Sequence, residues 1–201
     1  MFISTVPEAD ATGDLAEYYR RQRAGWGFLP NYAAAFATRP DVAAAWEKLN
    51  LTIRGGMDRR RFEIATIAAA RSLRSSYCTA AHSKFLRDVC GDEVAVRSIA
   101  ERPDGAALSR ADRAVYEFAV KVATDAAAIE QADVDRLKED AGLSDADVAD
   151  VVFAVAARSF FTRVLDGLGA QLDSQTADEF APALRAAMIV GRPADVTEAR
   201  P

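Results

Sequence analysis

The chain has 201 residues, half of them apolar, and a net charge of −5 at pH 7. That size predicts one domain, or one domain with tails, holding a sizeable core. Acids and bases interspersed under a negative balance exclude broad phosphate-backbone binding, so no nucleic-acid partner is expected. No long apolar run or basic-then-apolar leader is present, so neither a membrane span nor a signal peptide is expected.

Alanine is abundant and β-branched clusters are few, which favours an all-α fold. Residues 1–10 read as an extended arm, because Pro7 opposes an early helix. Ala11–Arg23 reads as an amphipathic helix with Leu15, Tyr18 and Tyr19 on its apolar side. Gly25–Pro30 is an apolar loop, and Trp26, Phe28 and the following Tyr32 are candidate walls of a substrate pocket. Short helices are expected over Asn31–Thr38 and Asp41–Ile53, the second stopped by Gly55-Gly56. Asp58 begins the next helix. After Cys90 come a short helix over Gly91–Ala100 and a Pro/Gly loop to Leu108. Ser109 caps a helix running through Val115, Phe118 and Val122. Ala132–Asp140 is another, closed at Gly142. Ser144 caps a long apolar helix from Val148 to about Leu168. One more helix is expected over Ala177–Val190, then a disordered or partner-draped tail from Gly191 to Pro201. The chain thus divides into an arm, helix and loop (1–30), a helical core (31–174) and a C-terminal helix with its tail (175–201). No alternating strand pattern persists. The stretch Val151–Phe161 is apolar nearly all round, which predicts coverage by several neighbours and a homo-oligomer.

The reactive side chains concentrate between Arg59 and Cys90. This stretch holds the one histidine, His82, and both cysteines, Cys78 and Cys90. Arg59–Leu73 and Tyr77–Asp88 read as two helices separated by a polar break at Ser72–Ser76. In one continuous helix Glu63 and Cys78 would lie about 22 Å apart. A reversal near Ser75 brings Glu63 back beside the second helix. With Ser75 as N-cap, Cys78 and His82 share one face. The helix N-terminus and an imidazolium both lower a thiol pKa, so Cys78 is expected to titrate below an ordinary cysteine. Glu63 would orient His82 in a nucleophile–base–orienter chain. Equally, a cysteine on an apolar helix can be a small buried hydrophobe, and a lone histidine a structural group. Cys90 would lie about 18 Å from Cys78 along one helix, too far for a disulfide. Two cysteines without framework spacing suit a reducing cytoplasm. So few ligands make a dedicated metal site improbable, and no cofactor is expected.

The spacing of Glu63, Ser75, Cys78 and His82, with the text SSYCTAAHS over Ser75–Ser83 broken at its first position, resembles the motif of the alkylhydroperoxidase D-like, carboxymuconolactone decarboxylase family. That motif is a glutamate, eleven residues, C-x-x-C, three residues and a histidine. The segment from Gly27 to Trp46, with its GFLPN start, is similar to the peroxidase-related branch. The long helix ending GLG resembles the family's last core helix, with Thr162 and Arg163 as its small polar residue and arginine. The resemblance implies a helical bundle forming trimers or hexamers. It makes Cys78 the peroxide-attacking thiol, with His82 and Glu63 as its proton machinery and Ser75 or Tyr77 as hydrogen-bond donors to peroxide. Ser75 stands where redox-active members have their first cysteine, so the implied mechanism is of one-cysteine type. An external small thiol or a redox partner protein would have to reduce Cys78. The alternatives are a non-redox, carboxymuconolactone decarboxylase-like enzyme using His82 or Glu63, or a non-catalytic oligomer binding a small apolar molecule.

Overall fold

The computed structural model describes residues 1–195 as eleven α-helices and two short 3-10 turns. Helix α4 (Arg59–Ser72) is the hub. It packs on α3 (Pro40–Gly56), α5 (Ser76–Asp88), α7 (Arg110–Asp125) and α9 (Asp145–Leu168). The composition of α4 explains its place. Every residue from Phe62 to Ala70 is buried. Ala65, Ala68, Ala69 and Ala70 let neighbouring helices approach closely, while Phe62, Ile64 and Ile67 fill the space between them. Each of these three contributes about 1.5–3 kcal/mol through burial. The Asp58 carboxylate accepts from the Arg61 backbone N–H at 2.8 Å and caps the helix, a device worth about 1 kcal/mol.

The reversal between α4 and α5 takes three residues. Ser75 N–H donates to the Ala70 carbonyl and Arg74 N–H to that of Arg71, the paired bonds of a Schellman turn. Arg74 sits at its left-handed position with φ 58°, where glycine would be unstrained. Ser75 then precedes α5 in an extended conformation. The expected fold-back is therefore present, and it aligns the N-terminal half of α5 beside α4.

Several boundaries differ from the sequence reading. Helix α1 (Gly13–Trp26) runs three residues past Arg23, because Gly27, with φ 80°, supplies the left-handed stop and Gly25 is tolerated inside. Trp26 is therefore helical. The N-terminal arm contains a 3-10 turn at Glu8–Asp10 and is pinned, with Tyr19 Oη donating to the Val6 carbonyl at 3.1 Å and Phe2 N–H to that of Leu168 at 2.8 Å. The single helix expected over Ala177–Val190 is two short ones, α10 (Ser174–Ala177) and α11 (Pro182–Met188). Pro182 cannot continue a helix and holds Ala181 extended. Finally, Gly191–Asp195 lies on the body rather than forming a free tail. Gly191 N–H donates to Ser76 Oγ at 3.0 Å, and Asp195 N–H to the Leu172 carbonyl at 2.7 Å. The rest of the expected tail, 196–201, lies outside the described residues.

Helix α3 includes both Gly55 and Gly56, which were expected to stop it, and ends where Met57 turns extended. Helix α2 (Asn31–Ala35) ends short of the expected Thr38. The other helices follow their sequence signals to within a few residues. Helix α6 covers Glu93–Glu101 and α8 Gln131–Ala141. Helix α9 starts with the capping box of Ser144 and Asp147. Val151, Val155 and Leu165 turn into the core, whereas Phe153 and Phe160 stay exposed, as does Leu49 on α3. Among the described residues, no helix is long and apolar enough to cross a membrane.

Candidate active site

Glu63 is fully buried and lies between two partners. Its Oε2 is 2.5 Å from His82 Nδ1, and its Oε1 accepts from Arg59 Nε at 2.5 Å. Helical spacing sets the second contact, since Arg59 and Glu63 are four apart on α4. The α4–α5 reversal sets the first. Burial pushes the Glu63 carboxyl up, but His82 and Arg59 outweigh it and hold the group below its ordinary value. Burial drives His82 the other way. Together with the nearby Arg158 cation, it lowers the imidazole pKa to about 4 against the pull of Glu63. At neutral pH the pair is therefore a carboxylate and a neutral imidazole. The Nδ1 proton bonds to Glu63, which leaves Nε2 as an unprotonated base.

One turn before His82 on α5 lies Cys78, 1% exposed. Its sulfur is 3.7 Å from Arg158 Nη1. Burial raises the thiol pKa, and the lowering by Arg158 and Ser75 does not offset it. The expectation of an unusually acidic thiol is corrected here: desolvation outweighs the helix N-terminus and the arginine, and the imidazole is too weakly basic to carry the stabilising positive charge. The resting group is a thiol.

Arg158 was not singled out by the sequence reading. It is 3% exposed on α9, with Nη2 donating to Asn50 Oδ1 at 3.4 Å and Nε unpartnered. Its guanidinium lies 5.5 Å from the Trp46 ring centroid and 5.3 Å from that of Phe161. The signal was available in the text. Arg158 is the charged residue on the inward stripe Val151, Val155, Thr162 and Leu165. Arg163, named instead, is exposed; Thr162 is buried.

A cavity of about 210 Å³ opens above Cys78 and His82. Trp26, Tyr32, Trp46, Phe62, Phe85 and Phe161 give it aromatic walls, with Glu47, Arg54, Arg59, Glu63 and Arg158 among its polar groups. Trp26 and Tyr32 therefore line it as envisaged. Phe28 does not, because it packs edge-on behind Trp26 at 6.2 Å. Ser75 does not line it either. That residue is fully buried at the α4–α5 turn, where its hydroxyl acts on the Cys78 sulfur rather than on the cavity. Tyr77 contributes to the wall, but its hydroxyl donates to the buried Asp173 carboxylate. Burial raises Asp173 to about 6. Ser75 and Tyr77 are thus placed to support Cys78 from behind rather than to meet a peroxide. Cys90 is half-buried outside the cavity, and burial raises its pKa too. Among the described residues, no cluster of histidine, cysteine or carboxylate side chains could hold a metal ion.

The sequence model of the Carboxymuconolactone decarboxylase family matches residues 40–101, which include Glu63, Ser75, Cys78 and His82. The structure of a peroxidase-related protein from Ralstonia eutropha JMP134, described as an alkylhydroperoxidase AhpD core, superposes with a TM-score of 0.77. The match covers 87% of this chain and 93% of that one at 22% identity. This chain has the alkylhydroperoxidase D-like fold. A peroxidase-related protein from Silicibacter sp. TM1040 also matches, with a TM-score of 0.74, 22% identity and coverage of 85% of this chain and 91% of that one. The debrominase Bmp8 is also similar. A Cys-to-Ala variant of it in complex with 2,3,4-tribromopyrrole matches with a TM-score of 0.70, 20% identity and coverage of 94% and 96%. Comparison with curated proteins gives no match.

Proposed function

We propose that the protein is a thiol-dependent oxidoreductase of one-cysteine type that reduces an organic or hydrogen peroxide through Cys78. One observation carries the reading: the Cys78 sulfur lies 3.7 Å from a buried guanidinium on the wall of a cavity that it shares with a neutral, Glu63-bound His82. A buried thiol with a raised pKa needs a local base and a local cation to react. His82 Nε2 takes the Cys78 proton, Arg158 stabilises the thiolate, and Glu63 stabilises the imidazolium. The thiolate attacks one peroxide oxygen, breaking the O–O bond. Sulfur loses two electrons and becomes a sulfenic acid, and the leaving alkoxide takes the proton from His82 as an alcohol. One external thiol then displaces water to give a mixed disulfide. A second thiol releases Cys78 and leaves as the external disulfide.

The test is peroxide consumption with dithiothreitol as reductant. Cys78→Ser is expected to abolish turnover and Cys90→Ser to leave it intact; turnover surviving Cys78→Ser overturns the reading. Ser75→Cys adds the missing partner three residues before Cys78 and is expected to raise dithiol-dependent turnover more than tenfold. The reading expects a reducing compartment such as the cytoplasm. It also expects a homo-oligomer, trimer or hexamer, that covers Phe153, Phe160 and Leu49.

The protonated resting thiol favours a second reading, a carboxymuconolactone decarboxylase-like, non-redox enzyme in which His82 and Glu63 handle protons and Cys78 only packs. Lactone turnover lost in His82→Ala but kept in Cys78→Ala would select it.

A further inference from the structure

The cavity carries more positive charge than its own carboxylates balance. Glu63 is taken up by Arg59 and His82, and Glu47 accepts from Gln22 and from Arg21 at 3.2 Å. Two cations remain. Arg54 is half-buried on the cavity wall, and among the described residues no carboxylate lies within ion-pair distance of it. Arg158 is 3% exposed, bonds only to a thiol and an amide, and keeps an unpartnered Nε. A buried cation without a counter-charge is costly, and proteins ordinarily pair it. Among the described residues no carboxylate forms an ion pair with Arg158 or Arg54.

We infer that the cavity takes a small planar aromatic ring bearing one anionic group, carboxylate or phenolate, with the anion on Arg158 and Arg54 and the ring between Trp26, Trp46, Phe85 and Phe161. The walls are aromatic. Phe161 and Trp46 lie nearly parallel, with centroids 4.8 Å apart at 14°, and Trp26 and Phe85 pack 5.4 Å apart at 53°, so the lining offers ring edges and faces to an aromatic guest. The volume of about 210 Å³ is below the roughly 300–1,000 Å³ of sites for drug-sized ligands, so the occupant is one substituted ring rather than a fused or chain-bearing molecule. A planar guanidinium matches a carboxylate in a two-bond fork. Seated there, the anion would set the ring or its reactive substituent against Cys78 and His82. The inference rests on reading this cavity as the reaction site, but it concerns binding and can be measured without turnover.

The protein carries its own reporters, since its two tryptophans, Trp26 and Trp46, both line the cavity. Titration of the full chain with benzoate should change their emission saturably. Benzamide, the same shape without the charge, should bind at least tenfold more weakly, and cyclohexanecarboxylate, charged but not flat, at least severalfold more weakly. Arg158→Gln should erase the preference for benzoate over benzamide, and Arg54→Gln should reduce it. Because Arg158 is buried and its variant could unfold, the wild-type comparison of the three probes decides on its own. Benzoate binding must also survive Cys78→Ser. Benzamide binding as tightly as benzoate, cyclohexanecarboxylate matching benzoate, or no response to benzoate would each overturn the inference. Failed peroxide turnover with intact benzoate selectivity would sink the proposed reaction and leave this site standing.

Discussion

The two sides of the cavity floor are built on opposite terms. On one side Arg59, Glu63 and His82 form a closed chain in which both carboxylate oxygens have partners. On the other side Cys78 and Arg158, with Thr79 beside Cys78 on α5, are just as buried, yet they are left short. Thr79 Oγ1 and Arg158 Nε are buried here without a hydrogen-bond partner among the described residues. The paired side fixes geometry. The short side holds unspent capacity at Arg158, which lines the cavity, and that is where a ligand or a reacting sulfur gains most from it.

The contrast breaks most visibly by removing the keystone of the paired side. Glu63→Ala leaves His82 Nδ1 and Arg59 facing an empty buried site and should destabilise the protein by about 3–5 kcal/mol in urea unfolding. Glu63→Gln, which keeps the shape, should cost less. A loss below 1 kcal/mol for Glu63→Ala would mean that the chain is not closed as described.

The pH dependence is the next largest effect. The unfolded imidazole gains its proton as pH falls below 6.5, whereas folded His82 gains it only below about 4. Stability should therefore fall as pH drops from 6.5 toward 4, by about 3 kcal/mol in total. Asp173 works in the opposite direction. Its folded pKa is raised from 3.8 to about 6, so its contribution is complete below 3.8 and is lost as pH rises through about 6. The His82 part is read as the difference between wild type and His82→Gln, whose curve should lack this acid-side loss.

Two smaller effects sharpen the contrast. Thr79→Val deletes a buried hydroxyl that has no partner, so it should stabilise the protein by about 1 kcal/mol; a comparable change among the paired groups would destabilise it. Arg74→Gly relieves the left-handed residue in the turn joining the two sides and should add about 0.5–1 kcal/mol. Thermal unfolding resolves both, and destabilisation by Thr79→Val would show that its hydroxyl is satisfied after all.

How much of this was legible in the text depends on the range of the interaction involved. The all-helical fold, the Ser109 and Ser144 caps and the reversal before α5 follow from local chemistry, and so does the meeting of Glu63 with His82 once that reversal is granted. Pro182 is equally local, and its break in the last helix was there to be read. Arg158 was harder. It stands 80 residues from Cys78, and only the packing of α9 on α5 brings the two together. The thiol pKa could not be read either, because the spacing of Cys78 and His82 says nothing about how completely water is excluded. The positions of Ser75 behind the cavity wall and of Phe28 behind Trp26 likewise depend on side-chain direction and packing rather than on sequence order.

The most direct test of the central claim sets the two cysteines against each other in one tube. The chain is treated with a limiting amount of organic hydroperoxide, sulfenic acid is trapped with dimedone, and the site of labelling is read by mass spectrometry. Cys78 is 1% exposed and Cys90 half-buried, so simple accessibility would favour Cys90. The account predicts label on Cys78 first, and its loss in Arg158→Met while Cys90 is unaffected. Label confined to Cys90, or spread equally over both, would contradict it.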